Sequence, residues 1–135
     1  MTRRRKVTLF LLVPLLIYAA ICAGAFFFQA SLLFPAAQVG PAGPLPPGAT
    51  RLALRAASGE RLAGLHIPPG PGEGPPPLIL GFGGNAWNAD AMAGYLHELY
   101  LGAEILAFHY RGYAPSEGSP GAAALRDDAL VIFDW

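Results

Sequence analysis

Leu78-Ile79-Leu80-Gly81-Phe82-Gly83-Gly84-Asn85-Ala86-Trp87-Asn88, followed by Glu104 to Tyr110 (EILAFHY), decides the fold. The continuous apolar run 78–82 predicts a short strand buried on both faces. A glycine-rich turn follows it, and Asn88 is a good N-cap for a helix. Met92, Tyr95, Leu96 and Leu99 recur at helical spacing and predict the buried face of that helix, which Gly102 ends. Residues 104–110 then read as a second buried strand. Strand, helix, strand at this spacing implies a parallel crossover, so the class is α/β.

Outward toward the N-terminus, Arg51 to Ala57 alternates, with Leu52, Leu54 and Ala56 on one side and Arg51 and Arg55 on the other. Ser58-Gly59-Glu60 is a turn and Arg61 to Ile67 alternates again, so the pair reads as a β-hairpin. Pro68 to Pro77 is a Pro/Gly loop. Outward toward the C-terminus, Pro120 suits the first turn of a last helix with Ser119 as its cap. Leu125, Ala129, Ile132 and Phe133 give that helix an apolar face, and Asp127 and Asp128 read as its polar face. The helix reaches Trp135 with no glycine stop and no terminal Lys or Arg, and Asp134 opposes the helix dipole. The expectation is a chain that stops before its domain is complete.

The N-terminal quarter has a different chemistry. Val7 to Phe28 carries no charge across about 22 residues, or about 33 Å of helix, against a hydrocarbon core of about 30 Å. Pro14 is tolerated in a spanning helix. Arg3, Arg4, Arg5 and Lys6 precede it, which predicts an N-terminus in the cytoplasm and the rest on the far side of the membrane, periplasmic in a bacterium. Ala23-Gly24-Ala25 also fits a signal-peptidase site, but the apolar run is long for a cleaved signal and Phe26-Phe27-Phe28 continues it, so a signal anchor is favoured. Pro35 to Thr50 reads as an extended Pro/Gly linker. The expected division is a basic tail at 1–6, a transmembrane helix at 7–28, a juxtamembrane segment and linker at 29–50, and an α/β domain at 51–135.

Only 13% of the 135 residues are charged, against about 25% in ordinary soluble domains. Beyond Lys6, five basic residues face nine acidic ones, which argues against nucleic-acid binding. Cys22 is alone, so no intrachain disulfide and no cysteine-based zinc site can form. His97-Glu98 begins a zinc-protease pattern, but Leu101 occupies the place of its second histidine. No metal and no cofactor is expected. Gly81-x-Gly83-x-x-Ala86 matches a dinucleotide fingerprint weakly, and His109 stands where the fingerprint expects an acid. The same turn also reads as an oxyanion hole, or as a plain tight turn.

Phe108-His109-Tyr110-Arg111-Gly112-Tyr113-Ala114-Pro115-Ser116-Glu117-Gly118-Ser119-Pro120 separates these readings. Together with the Asn85 turn and Gln29-Ala30-Ser31-Leu32-Leu33-Phe34-Pro35, it resembles the α/β-hydrolase superfamily, and within it the membrane-anchored Bem46/ABHD13-like serine hydrolases. Their patterns run Q-x-S-L-x-F-P, F-H-G-N-A-G-N, then Y-R-G-Y-G-x-S-x-G-x-P and a helical D-A. The resemblance implies the first half of an α/β-hydrolase fold, a hairpin followed by parallel β-α-β-α. It implies an oxyanion turn at Gly84 and Asn85, with Asn85 the likelier N–H donor, and a site shaped by Trp87, His109, Tyr110, Arg111 and Gly112. Arg111 is expected to hold its loop through an ion pair or carbonyls, and His109 either supports the site or simply packs. Gly83 stands in place of the family's histidine and Trp87 in place of a glycine, so the substrate does not carry over.

Ser116 lacks a G-x-S-x-G elbow and is not a nucleophile candidate. In the family the nucleophile, acid and histidine come after a helix like the last one here, so no catalytic triad residue is expected within these 135 residues, and the chain alone is expected to be inactive. The family's strand order would leave 78–82 as an exposed apolar edge. The implied function is the N-terminal portion of a membrane-anchored serine hydrolase acting on ester, amide or lipid substrates through an acyl-enzyme, held to the bilayer by residues 7–28. The alternative is a short, non-catalytic, membrane-anchored binding protein with half an α/β domain.

Overall fold

The computed structural model describes residues 3–72 and 74–135, without the side chains of residues 3–9. Two compact units result, one ending at Leu33 and one running from Phe34 to Trp135. Met1 and Thr2 of the expected basic tail lie outside the described residues.

The first unit is a single helix, α1 (Arg3–Leu33), with Pro14 inside it. The backbone of Arg3–Lys6 is already helical, and the helix runs five residues past Phe28. Its Phe10–Leu33 stretch is long and apolar enough to cross a membrane, and none of it is buried. Its phenylalanines and leucines are exposed, from Leu12 at 44% to Phe10 at 78%, which makes it a candidate membrane span.

The second unit is a four-stranded sheet in the order β1-β2-β4-β3, with β1 Thr50–Arg55, β2 Arg61–Ile67, β3 Leu78–Gly81 and β4 Glu104–Phe108. β1 and β2 form the expected hairpin, from Thr50 opposite His66 to Arg55 opposite Arg61. β2 then pairs antiparallel with β4, placing Gly64 opposite Phe108. β3 and β4 are parallel, Leu78 opposite Glu104 and Gly81 opposite Ala107. They are joined by α2 (Ala89–Leu99), and α3 (Ala122–Asp134) follows β4.

Alternation along the strands sends side chains to two cores. Leu65, Ile67, Ile105 and Ala107 pack with Met92 and Ala93 of α2, and Leu62 and Phe108 pack with Ile132 of α3. At Gly64 a Cβ would sit 2.6 Å from the Phe108 ring, so glycine is what lets β2 and β4 pair over that ring.

Several local expectations are corrected. β3 is not buried on both faces, as its apolar run suggests, but is the part-buried edge strand that the family's strand order implies, with Leu78 exposed and no strand among the described residues outside it. On α2 the buried residues are Ala89, Asp90, Met92 and Ala93, while Tyr95 and Leu99 are exposed. The helix meets the sheet through its first turns, so its apolar periodicity overestimates what one contact face covers. Gly121, not Ser119, is the N-cap of α3, in extended backbone and without a side-chain bond. Phe133 is exposed and Asp128 is buried, the reverse of their reading from the helix pattern.

The Pro/Gly stretch before β1 does not stand apart from the domain. Leu45 and Ala49 pack against the α2-side core, and the Asn88 amide donates to the Gly40 carbonyl at 3.0 Å. Backbone without regular pairing is held here by side chains of the domain itself.

Candidate functional site

The C-terminal ends of β3 and β4 lie side by side, and the loops leaving them carry the candidate site residues. That is where open α/β sheets bind ligands. Asn88 caps α2 as expected, its Oδ1 accepting from the backbone N–H groups of Asp90 at 2.9 Å and Ala91 at 3.4 Å. The turn just before it is organised by its carbonyls. The Tyr110 hydroxyl donates to the Gly83 carbonyl at 2.5 Å. The Trp87 N–H donates to the Gly84 carbonyl at 3.2 Å. The Tyr113 hydroxyl donates to the Asn85 carbonyl at 2.6 Å.

Each peptide is planar and trans, so fixing a carbonyl fixes the direction of the N–H on the next residue. Three successive bonds therefore set the directions of the amides of Gly84, Asn85 and Ala86. A Cβ on Gly84 would meet nothing within 4 Å, so the turn opens onto free space. Burial raises the Tyr110 hydroxyl above its ordinary value, and burial followed by the neighbouring Tyr110 raises Tyr113. Both phenols stay protonated and keep donating. Their rings meet edge to face at 5.9 Å, which ties the clamps together.

His109 and Asp90 form a buried pair beneath the turn. His109 Nε2 lies 3.0 Å from Asp90 Oδ1, and Arg51 Nη1 donates to Asp90 Oδ2 at 2.6 Å. Burial alone would raise the Asp90 carboxyl, but hydrogen bonds from His109 and Arg51 outweigh it and hold the group below its ordinary value. The carboxylate thus joins β1, β4 and the first turn of α2. Ser116 is buried, accepting from the Ala63 N–H and donating to the His109 carbonyl. Both capacities of its hydroxyl are occupied structurally.

Arg111 points the other way. Its Nε donates to Asp128 Oδ2 at 3.0 Å, its Nη2 to Asp128 Oδ1 at 2.5 Å, and Glu60 lies 3.3 Å from Nη1. The hydrogen bonds it donates to Asp128 raise the guanidinium above its ordinary value. Gly112 sits at φ +78°, in the left-handed region, where it turns the chain between Tyr110 and Tyr113.

Of the residues singled out in the sequence, Gly84, Asn85, Tyr110 and His109 converge around the turn. Trp87 is at its rim, 44% exposed, with its ring 5.7 Å from that of Tyr95. Arg111 holds the second loop against α3 and the hairpin, and Gly112 closes that loop on itself through its N–H to the Glu117 carbonyl. Sequence reasoning missed Asp90, Tyr113 and Asp128. An acid in the first turn of a capped helix reads as a solvated complement to the helix dipole, and nothing local marks Asp90 as buried. Among the described residues, no group of three or more His, Cys, Asp or Glu could hold a metal. His66 bonds instead to Glu104 at 2.8 Å across the strands.

Fold and site define a partial α/β-hydrolase architecture, and the comparisons support that superfamily for the second unit. No protein-family model matches the chain. An α/β hydrolase from Vibrio vulnificus superposes with a TM-score of 0.54 at 26% identity, over 65% of this chain and 29% of that one. An uncharacterized protein of Mycobacterium tuberculosis strain H37Rv is 30% identical over 131 residues, 88% of this chain and 44% of the relative. The lysophosphatidylserine lipase ABHD12 of Gallus gallus is 39% identical over 64 residues, 44% of this chain and 16% of that protein. The chain spans less than half the length of the curated relatives it matches.

Proposed function

We propose that this chain is the membrane-anchored N-terminal portion of a serine hydrolase of the Bem46/ABHD13-like branch, cleaving ester, amide or lipid acyl bonds through an acyl-enzyme. The observation that carries the reading is the turn whose three successive carbonyls, Gly83, Gly84 and Asn85, are all tied down. Amides fixed before reaction are what an oxyanion hole requires, since donors that need no reorganisation stabilise developing charge best. In this assignment the Asn85 amide, with Gly84 beside it, receives the oxyanion. Tyr110 and Tyr113 position the turn, and Trp87 borders the acyl-binding space. The sequence holds no G-x-S-x-G elbow, and this reading assigns the nucleophile, acid and base to residues outside these 135. The lipase name carried by ABHD12 favours a lipid among the substrate classes.

The proposal includes topology: α1 spans the bilayer with Arg3–Lys6 in the cytoplasm and the hydrolase domain outside it. Fluorophosphonate labelling of membranes from the native source tests the activity, with an antibody to residues 83–87. The expected result is a labelled band well above the 14.2 kDa of this chain. An unlabelled band near that mass would overturn the enzyme reading and leave a short binding protein.

A further inference from the structure

The pairing of β4 with β2 ends unevenly. The register that sets Gly64 opposite Phe108, continued, sets Ala63 opposite His109 and Arg61 opposite Arg111. Antiparallel pairs of this kind exchange two backbone hydrogen bonds. Ala63 and His109 make only one of them directly, from the His109 N–H to the Ala63 carbonyl at 2.8 Å. The other is interrupted by a side chain. The Ala63 N–H donates to Ser116 Oγ at 2.9 Å, and the Ser116 hydroxyl donates to the His109 carbonyl at 2.8 Å.

The next pair is replaced altogether. The Arg61 N–H donates to Glu117 Oε2 and the Arg61 carbonyl accepts from the Glu117 N–H, both at 2.9 Å. Arg61 Nη2 also donates to the Pro115 carbonyl. Residues 115–117 thus occupy the edge of β2 that Tyr110 and Arg111 would otherwise take. A direct bond would draw the Ala63 nitrogen and the His109 oxygen to about 2.9 Å. With a hydroxyl oxygen between them the two strands must part. Parted from β2, the chain carries Tyr110 toward the turn after β3, where its hydroxyl donates to the Gly83 carbonyl.

We propose that Ser116 is a positioning residue for the oxyanion turn: a wedge that splits the β2–β4 ladder at His109, aims Tyr110 at Gly83, and so fixes the direction of the Gly84 amide. The wedge rests on these hydrogen bonds alone, and its catalytic consequence rests on the hydrolase reading. Ser116 touches no substrate in this role. It acts through the backbone from His109 to Tyr110 and then through the phenol. A serine that only anchored its own loop would leave the turn unchanged when its hydroxyl is removed.

The test is backbone NMR of the full chain in detergent micelles, reading the Ala63 and Gly84 amides. In the natural chain a scalar coupling across the hydrogen bond should join the His109 nitrogen to the Ala63 carbonyl carbon, with none between the Ala63 nitrogen and the His109 carbonyl carbon. Coupling in both directions overturns the wedge without any variant. In Ser116→Ala the ladder is free to close, so the second coupling should appear and the Gly84 amide should shift as it does in Tyr110→Phe. Added to Tyr110→Phe, Ser116→Ala should shift Gly84 no further, because its path to the turn is already cut. An unmoved Gly84 amide in folded Ser116→Ala, or shifts that add in the double variant, overturns the proposal. In the full-length natural protein Ser116→Ala should slow fluorophosphonate labelling about tenfold, less than the roughly 100-fold that losing a whole oxyanion donor costs. Labelling at the natural rate overturns the catalytic role. An unsubstituted protein that never labels overturns the hydrolase reading with it, while the wedge stands or falls on the NMR.

Discussion

Removing the Arg111 side chain should cost far more than a surface ion pair is worth. Arg111 and Asp128 meet through two hydrogen bonds, with side chains only 11% and 7% exposed. Arg111→Met keeps most of the packing and leaves the Asp128 carboxylate buried without its partner. Breaking a buried pair from one side typically costs about 3–5 kcal/mol, most of it the desolvation of the orphaned charge. The shallow position of the pair points to the lower end, about 3 kcal/mol. Asp128→Asn should cost less, about 1–2 kcal/mol, since the amide still accepts one bond and Glu60 still faces the guanidinium. The double variant Arg111→Met with Asp128→Leu should be more stable than Arg111→Met alone, because no charge is then stranded. Urea unfolding of the full chain in detergent reads this cleanly, since both tryptophans, Trp87 and Trp135, belong to the second unit. A loss below about 1 kcal/mol for Arg111→Met would match an exposed pair and refute the reasoning.

Other perturbations follow from the same geometry. Gly112→Ala would place a Cβ 2.4 Å from Pro120 Cδ at a φ of +78°. Left-handed backbone and overpacking together should cost about 3 kcal/mol, read in the same unfolding assay. Asn88→Ala removes the α2 cap and the bond to Gly40; about 1 kcal/mol should be lost, with faster amide exchange across residues 40–45. The Asp90 carboxyl is held below its ordinary value, so its contribution is complete above the unfolded carboxylate range and lost as pH falls through the lower folded value. Acid titration of stability should therefore be steeper below about pH 4 in the natural chain than in Asp90→Asn.

The elements were legible where one residue's neighbours in sequence decide its environment. Hairpin alternation over 50–67, the capped helix after Asn88 and the parallel crossover all rest on local pattern, and the structure has each of them. Burial was legible only when one face of an element meets one partner. Tyr95 and Leu99 keep the period of α2 yet stay exposed, because periodicity says which residues share a face, not how far the sheet reaches along it. Asp128 fails in the opposite sense. Its burial depends on Arg111, 17 residues earlier, and an acid on an amphipathic helix has no local mark that distinguishes a solvated position from a paired one. The tyrosine clamps were illegible for a third reason: their acceptors are backbone carbonyls, which every residue supplies and no motif encodes.

Those missed contacts change how the loop after β4 works. Read as a motif, Tyr110 to Tyr113 is a single block beside the site. In the structure its members face different ways. Tyr110 and Tyr113 reach toward the turn and hold the Gly83 and Asn85 carbonyls, while Arg111, between them, reaches α3 and the hairpin through Asp128 and Glu60. The left-handed Gly112 is what allows adjacent residues to serve opposite sides. Four residues thereby couple the direction of the turn's amides to the placement of α3. Displacing α3 should move Arg111, and with it both phenols, and so rotate the peptide planes of the turn. Loss of Arg111 would then register at Gly84 and Asn85 as well as in stability, although the guanidinium points away from them.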